Sequence, residues 1–136
     1  IFKTKDGEEE LAGKVGLNIV PHDIDIFQEG NKTYLVGALG SQGLYVAKGN
    51  SNTTFAVTAD PFRARIAANS SSFYVVYSTE GGDAYLVYGD LSGATEVKLA
   101  TGLNNVEDVD VFLTADDTLV IAVLGDDALS FTAYQL

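Results

Sequence analysis

The chain of 136 residues contains no cysteine, two prolines and a single histidine. Without cysteine it can form no disulfide, no thiolate nucleophile and no cysteine-ligated zinc site. A lone histidine excludes a metal centre built from several imidazoles. Any Ser-His-Asp triad would have to use His22, and no G-x-S-x-G elbow accompanies it. Positive charge is scarce too: 8 basic residues face 19 acidic ones, for a formal charge of −11. That surface repels nucleic-acid backbones and anionic membranes, and leaves cations, basic proteins and neutral ligands such as sugars as partners. No run reaches the ~18–20 apolar residues needed to span a bilayer. No signal peptide is visible, and an opening Ile1 is what a processed or trimmed polypeptide would show.

What the chain does have is apolar strand-forming sequence and glycine. It is 46% hydrophobic, with 14 glycines. Aromatic and β-branched residues with frequent glycine turns predict many short strands. No segment has helical periodicity with caps. The length is that of one domain.

An internal match gives these strands an order. Glu10-Leu11-Ala12-Gly13-Lys14-Val15-Gly16-Leu17-Asn18 is answered by Glu96-Val97-Lys98-Leu99-Ala100-Thr101-Gly102-Leu103-Asn104, 86 residues later. Asp23-Ile24-Asp25-Ile26-Phe27 is answered by Asp108-Val109-Asp110-Val111-Phe112. A middle copy begins at Arg63-Ala64-Arg65-Ile66-Ala67. Each copy continues with a near-continuous apolar run, at Thr33–Ala38, Phe73–Tyr77 and Thr118–Val123. Such runs suit strands covered on both faces. A polar turn and a third strand follow: Leu44–Ala47, Ala84–Tyr88 and Ala128–Tyr134. Outer strands are expected at Thr53–Thr58 and Glu96–Ala100. A repeat of roughly 40–45 residues made of four strands is the signature of a β-propeller blade. The expected fold is therefore all-β, with about three four-stranded antiparallel blades; a β-sandwich is the alternative.

The expected boundaries are an outer strand of a preceding blade in 1–20, blades in 21–59 and 60–101, and an incomplete blade in 102–136. Three blades do not close a ring, since propellers have about four to eight. Either a second copy completes it, or further blades lie in additional sequence.

In a propeller the connections entering the inner strand and those joining the second and third strands share one rim. Here that rim would present His22, Asp23, Gln42, Asp60, Arg63, Glu80, Asp83, Asn104, Asn105, Glu107, Asp108, Asp126 and Asp127. Clustered carboxylates and amides could hold Ca²⁺, which takes about six to eight oxygen ligands. The same residues also serve as ordinary turn formers. We take His22, Asp23, Asp60, Arg63, Glu107, Asp108, Asp126 and Asp127 as candidate ligand or metal residues, and assign no catalytic residue. Arg63 and Arg65 alternate on one strand, as do Asp23 with Asp25 and Asp108 with Asp110. This pattern predicts ion pairs between neighbouring blades, or a channel site for a polar or anionic group. Most tyrosines fall inside strands, where packing between blades is the expected role.

Three N-x-S/T sequons, at Asn31, Asn52 and Asn69, fall in expected turns and point to a secreted, glycosylated protein.

The segment Thr33-Tyr34-Leu35-Val36-Gly37-Ala38-Leu39-Gly40-Ser41-Gln42-Gly43-Leu44-Tyr45-Val46 resembles a hairpin of the β-propeller phytases and related six-bladed phosphoesterases or lactonases. That resemblance implies a six-bladed ring and, in phytases, calcium held by rim carboxylates to bind phosphate. The phytase Asp-Asp-Pro-Ala-Ile-Trp signature is replaced by Pro21-His22-Asp23-Ile24-Asp25-Ile26-Phe27, and its basic turn residues by Leu39-Gly40-Ser41-Gln42. The resemblance therefore implies the fold and not phytase activity. The expected function is a non-catalytic extracellular module that binds a protein or glycan, or assembles through its blades; the alternative is a calcium-dependent hydrolase.

Overall fold

The computed structural model describes the backbone of Phe2–Lys5 and Glu8–Leu11, and Leu17 and residues 19–136 in full. The 10–18 arm of the self-match, including the Glu10 side chain, lies mostly outside these residues. Within the 1–20 segment the described strands are β1 (Phe2–Lys5) and β2 (Glu8–Leu11), an antiparallel hairpin.

The rest is all-β, in three successive antiparallel meanders. The first sheet comprises β3 (Asp23–Glu29), β4 (Lys32–Ala38), β5 (Leu44–Lys48) and β6 (Ser51–Phe55). The second comprises β7 (Arg63–Ala68), β8 (Phe73–Ser78), β9 (Ala84–Asp90) and β10 (Gly93–Lys98). The third has three strands, β11 (Asp108–Leu113), β12 (Thr118–Leu124) and β13 (Leu129–Gln135). Each strand pairs with its sequence neighbour, so each sheet is built by local hairpins.

The apolar runs become β4, β8 and β12. The six residues of β8 are all buried, because the second sheet is packed on both faces. Ala64, Ile66, Phe73, Val75 and Tyr77 join Val36, Ala38, Leu44 and Val46 of the first sheet in one core. Ala67, Tyr74, Val76 and Leu86, from the opposite face, join Val109, Val111, Leu119 and Ile121 of the third. The strand period of two thus sends alternate residues of one sheet into two different cores.

Two outer strands begin earlier than the sequence reading placed them. β6 starts at Ser51, because a tight turn at Gly49-Asn50 sets Lys48 opposite Ser51. Ala56, Val57 and Thr58 then leave the sheet as connection. β10 starts at Gly93, because the Asp90 carboxylate closes the preceding turn by accepting the amides of Ser92 (2.8 Å) and Gly93 (3.2 Å).

Candidate functional site

The connection before each inner strand and the turn between second and third strands meet at one end of the stack. Each is tied to its own sheet by an equivalent hydrogen bond. The amides of His22, Phe62 and Glu107 donate to the carbonyls of Ala38, Ser78 and Leu124. Backbone bonds then join neighbouring sheets along this rim: Gly40 N–H to Pro61 O at 3.1 Å, and Val106 N–H to Gly82 O at 3.1 Å.

Between the first two sheets the rim opens into a cleft of about 690 Å³, whose lining includes His22, Ser41, Asp60, Phe62, Thr79 and Glu80. The His22 and Phe62 rings are tilted against each other at 5.1 Å, and the Arg63 guanidinium lies 4.8 Å from the Phe62 ring centre. Phe62 is thus an aromatic platform with an imidazole and a cation beside it, and two exposed carboxylates, Asp60 and Glu80, line the same cleft. Gly40 keeps the cleft open: its φ is +57°, and a Cβ there would approach His22 Nε2 to 3.1 Å.

Of the candidate residues, the structure brings His22 and Asp60 to this cleft and places Arg63 at the neighbouring ring. Asp23 is directed elsewhere. Its carboxylate accepts the Arg65 guanidinium at 2.6 Å and the Ala64 amide at 3.1 Å, across the boundary between the first and second sheets. Burial alone would lower the Arg65 pKa, but the hydrogen bond to Asp23 and the charges of Asp23, Asp108 and Asp25 outweigh it, and the net shift is upward.

Glu107 and Asp126 meet at the rim of the third sheet, away from the cleft. The hydrogen bond and charge of Asp126 raise the Glu107 pKa above the ordinary carboxylate value. The Asn105 amide donates to Asp126 at 3.2 Å. Asp127 is exposed in the adjoining turn. The Asp108 carboxylate accepts the amide of Val109 on its own strand at 2.9 Å. Among the described residues no group of three or more acidic or histidine side chains is placed to hold a metal ion.

Asn31 lies exposed at the tip of the β3–β4 hairpin. Asn52 is in β6 rather than in a turn, although it is exposed there. Asn69 is half-buried, and its side-chain oxygen accepts the amides of Ser71 (2.9 Å) and Ser72 (2.8 Å). Phe62 was missed as a site residue in the sequence reading. The signal was present: it is an aromatic residue in a connection, next to Pro61, whereas the tyrosines mostly fall inside strands.

No protein-family model matches this chain, and no curated protein matches it.

Proposed function

We propose that this chain is a non-catalytic extracellular binding module on a β-propeller-type scaffold, and that its rim cleft receives a basic side chain of a protein partner. The observation that carries the reading is the cleft itself, where the exposed Asp60 and Glu80 carboxylates of the second sheet's rim share a lining with His22 and Ser41 of the first. A cation entering it would meet the Asp60 and Glu80 carboxylates, the Phe62 ring beside them already carrying Arg63, in a protein whose net charge of −11 attracts basic partners. The propeller-type scaffold is supported by the repeated meander, by a middle sheet covered on both faces, and by the repeated rim hydrogen bonds. A two-sheet sandwich has no sheet covered on both faces by others. The non-catalytic reading is supported by how the reactive groups are used: Asp23 is engaged by Arg65 and Ala64, and His22 packs on Phe62. Extracellular placement draws on the exposed sequons at Asn31 and Asn52.

The test is calorimetric titration with arginine- and lysine-containing peptides, with neutral oligosaccharides in parallel. Peptide binding that is lost in Phe62→Ala and in Asp60→Asn/Glu80→Gln is expected. Absence of peptide binding, or oligosaccharide binding in its place, would reject the reading.

A further inference from the structure

The three sheets fill one rim position with three different chemistries. The amides of His22, Phe62 and Glu107 make equivalent bonds to the carbonyls of Ala38, Ser78 and Leu124, at 2.8, 2.7 and 2.7 Å. Two residues beyond those carbonyls stand Gly40, Glu80 and Asp126. In the third sheet the two positions meet, since the Asp126 carboxylate is hydrogen-bonded to Glu107. In the first sheet they also lie side by side, but the facing residue is glycine: a Cβ on Gly40 would come within 3.1 Å of His22 Nε2. His22 thus stands where the other two sheets supply a carboxylate and its own supplies none. The rest of its turn, Ser41 and Gln42, is uncharged.

The charged groups around the ring therefore come from elsewhere. Asp23, next in the chain, is held by Arg65 and the Ala64 amide. From the second sheet, the connection before β7 brings Asp60 and leads into Arg63, and the β8–β9 turn brings Glu80. Asp83, at the far end of that turn, faces Lys98 at 3.4 Å. Arg63 lies against the same Phe62 ring on which His22 packs. With the imidazole neutral, two carboxylates stand against one guanidinium around the cleft. With it protonated, the charges balance. Histidine is the one side chain whose ordinary titration lies between about pH 5 and 8.

We propose that His22 is a pH-sensitive switch on the rim cleft. Neutral, it leaves Asp60 and Glu80 to a basic side chain of the partner; protonated, it competes for those carboxylates and repels the incoming cation. The inference rests on the binding reading above. Its sign is fixed: binding weakens on acidification, and by reciprocity a bound cation makes His22 harder to protonate. His22, Asp60 and Glu80 are all exposed, so water and salt screen the charges and the effect is a few-fold one.

The test uses the whole chain and a short arginine peptide with blocked termini, whose charge is constant between about pH 8 and about pH 5.5. Calorimetric titration is expected to show affinity about threefold or more weaker at the lower pH. In His22→Gln, with folding checked by circular dichroism, the affinity is expected to be the same at both. His22 is the only histidine, so its ring protons report its protonation directly in NMR spectra. Saturating peptide is expected to move that titration to lower pH by the matching factor. The NMR reading needs no variant, so it decides even where His22→Gln binds nothing. Binding that does not change with pH, a pH dependence that survives in His22→Gln, or an imidazole titration unmoved by peptide would overturn the inference and leave the binding reading standing. Absence of peptide binding at both pH values would remove the binding reading and this inference with it.

Discussion

Asp23 and Arg65 face each other across the boundary of two sheets at 2.6 Å, and the same carboxylate holds the amide of Ala64 at 3.1 Å. One side chain therefore neutralises a half-buried cation and satisfies an edge amide of a residue with no exposed surface. Asp23→Ala removes both bonds and leaves the amide without its acceptor. The expected loss is about 2 kcal/mol, read as a lower urea midpoint at unchanged slope.

Tyr77 links the second sheet to the connection that enters it. Its hydroxyl donates to Glu96 at 3.1 Å, and Glu96 also accepts the Thr58 amide at 3.0 Å. Tyr77→Phe is expected to cost about 1 kcal/mol, because Glu96 keeps its second donor.

Burial first, then the Glu96 charge, raises the Tyr77 pKa far above that of a free phenol. The folded state therefore holds a proton that the unfolded state releases above about pH 10. This contribution to stability is complete below the unfolded pKa and declines as pH rises above it. An ultraviolet titration at alkaline pH should show one tyrosine ionising only together with unfolding.

Glu107 has a raised pKa because it faces Asp126. The favourable, protonated arrangement is complete below the unfolded carboxylate pKa and is lost as pH rises through the folded one. Glu107→Gln should therefore melt at a higher temperature than the wild type at neutral pH, and the difference should shrink on acidification. A set of melting curves from acid to neutral pH checks the sign.

Two glycines of the β4–β5 turn should respond differently to alanine. Gly40 has φ +57° and its added Cβ would meet only the His22 ring, at 3.1 Å. Gly43 has φ +94° and its Cβ would fall 2.1 Å from the Phe55 carbonyl, which is backbone. Gly40→Ala should cost about 1–2 kcal/mol for the left-handed conformation. Gly43→Ala should cost more, because the outer strand must move. Denaturation of the two variants side by side decides this.

The strands were legible because β-branched and aromatic runs, separated by glycine and aspartate turns, leave few alternatives. The expected run at Phe73–Tyr77 is β8 but for one residue at its end, and Arg63–Ala67 is β7 with the same difference. The ends of β6 and β10 were not legible, because two-residue turns determine where their hairpins begin. His22 and Asp60 were readable as rim residues from their place before an inner strand. For Phe62 the sequence offers only an aromatic residue in a connection; its place in the site comes from the His22 and Arg63 side chains brought beside it.

Periodicity of two, turn chemistry and the self-match determine three meander sheets and the equivalence of Asp23 with Asp108, and of Asp25 with Asp110. These are local or repeated features, carried by each segment on its own. What each carboxylate does was decided only by the tertiary structure. Asp25 accepts the amide of Ile66 on the next sheet, whereas Asp110 accepts that of its neighbour Val111. The residues are chemically the same at matching positions. Their hydrogen bonds differ because the second sheet stands against Asp25, whereas among the described residues no sheet stands against Asp110.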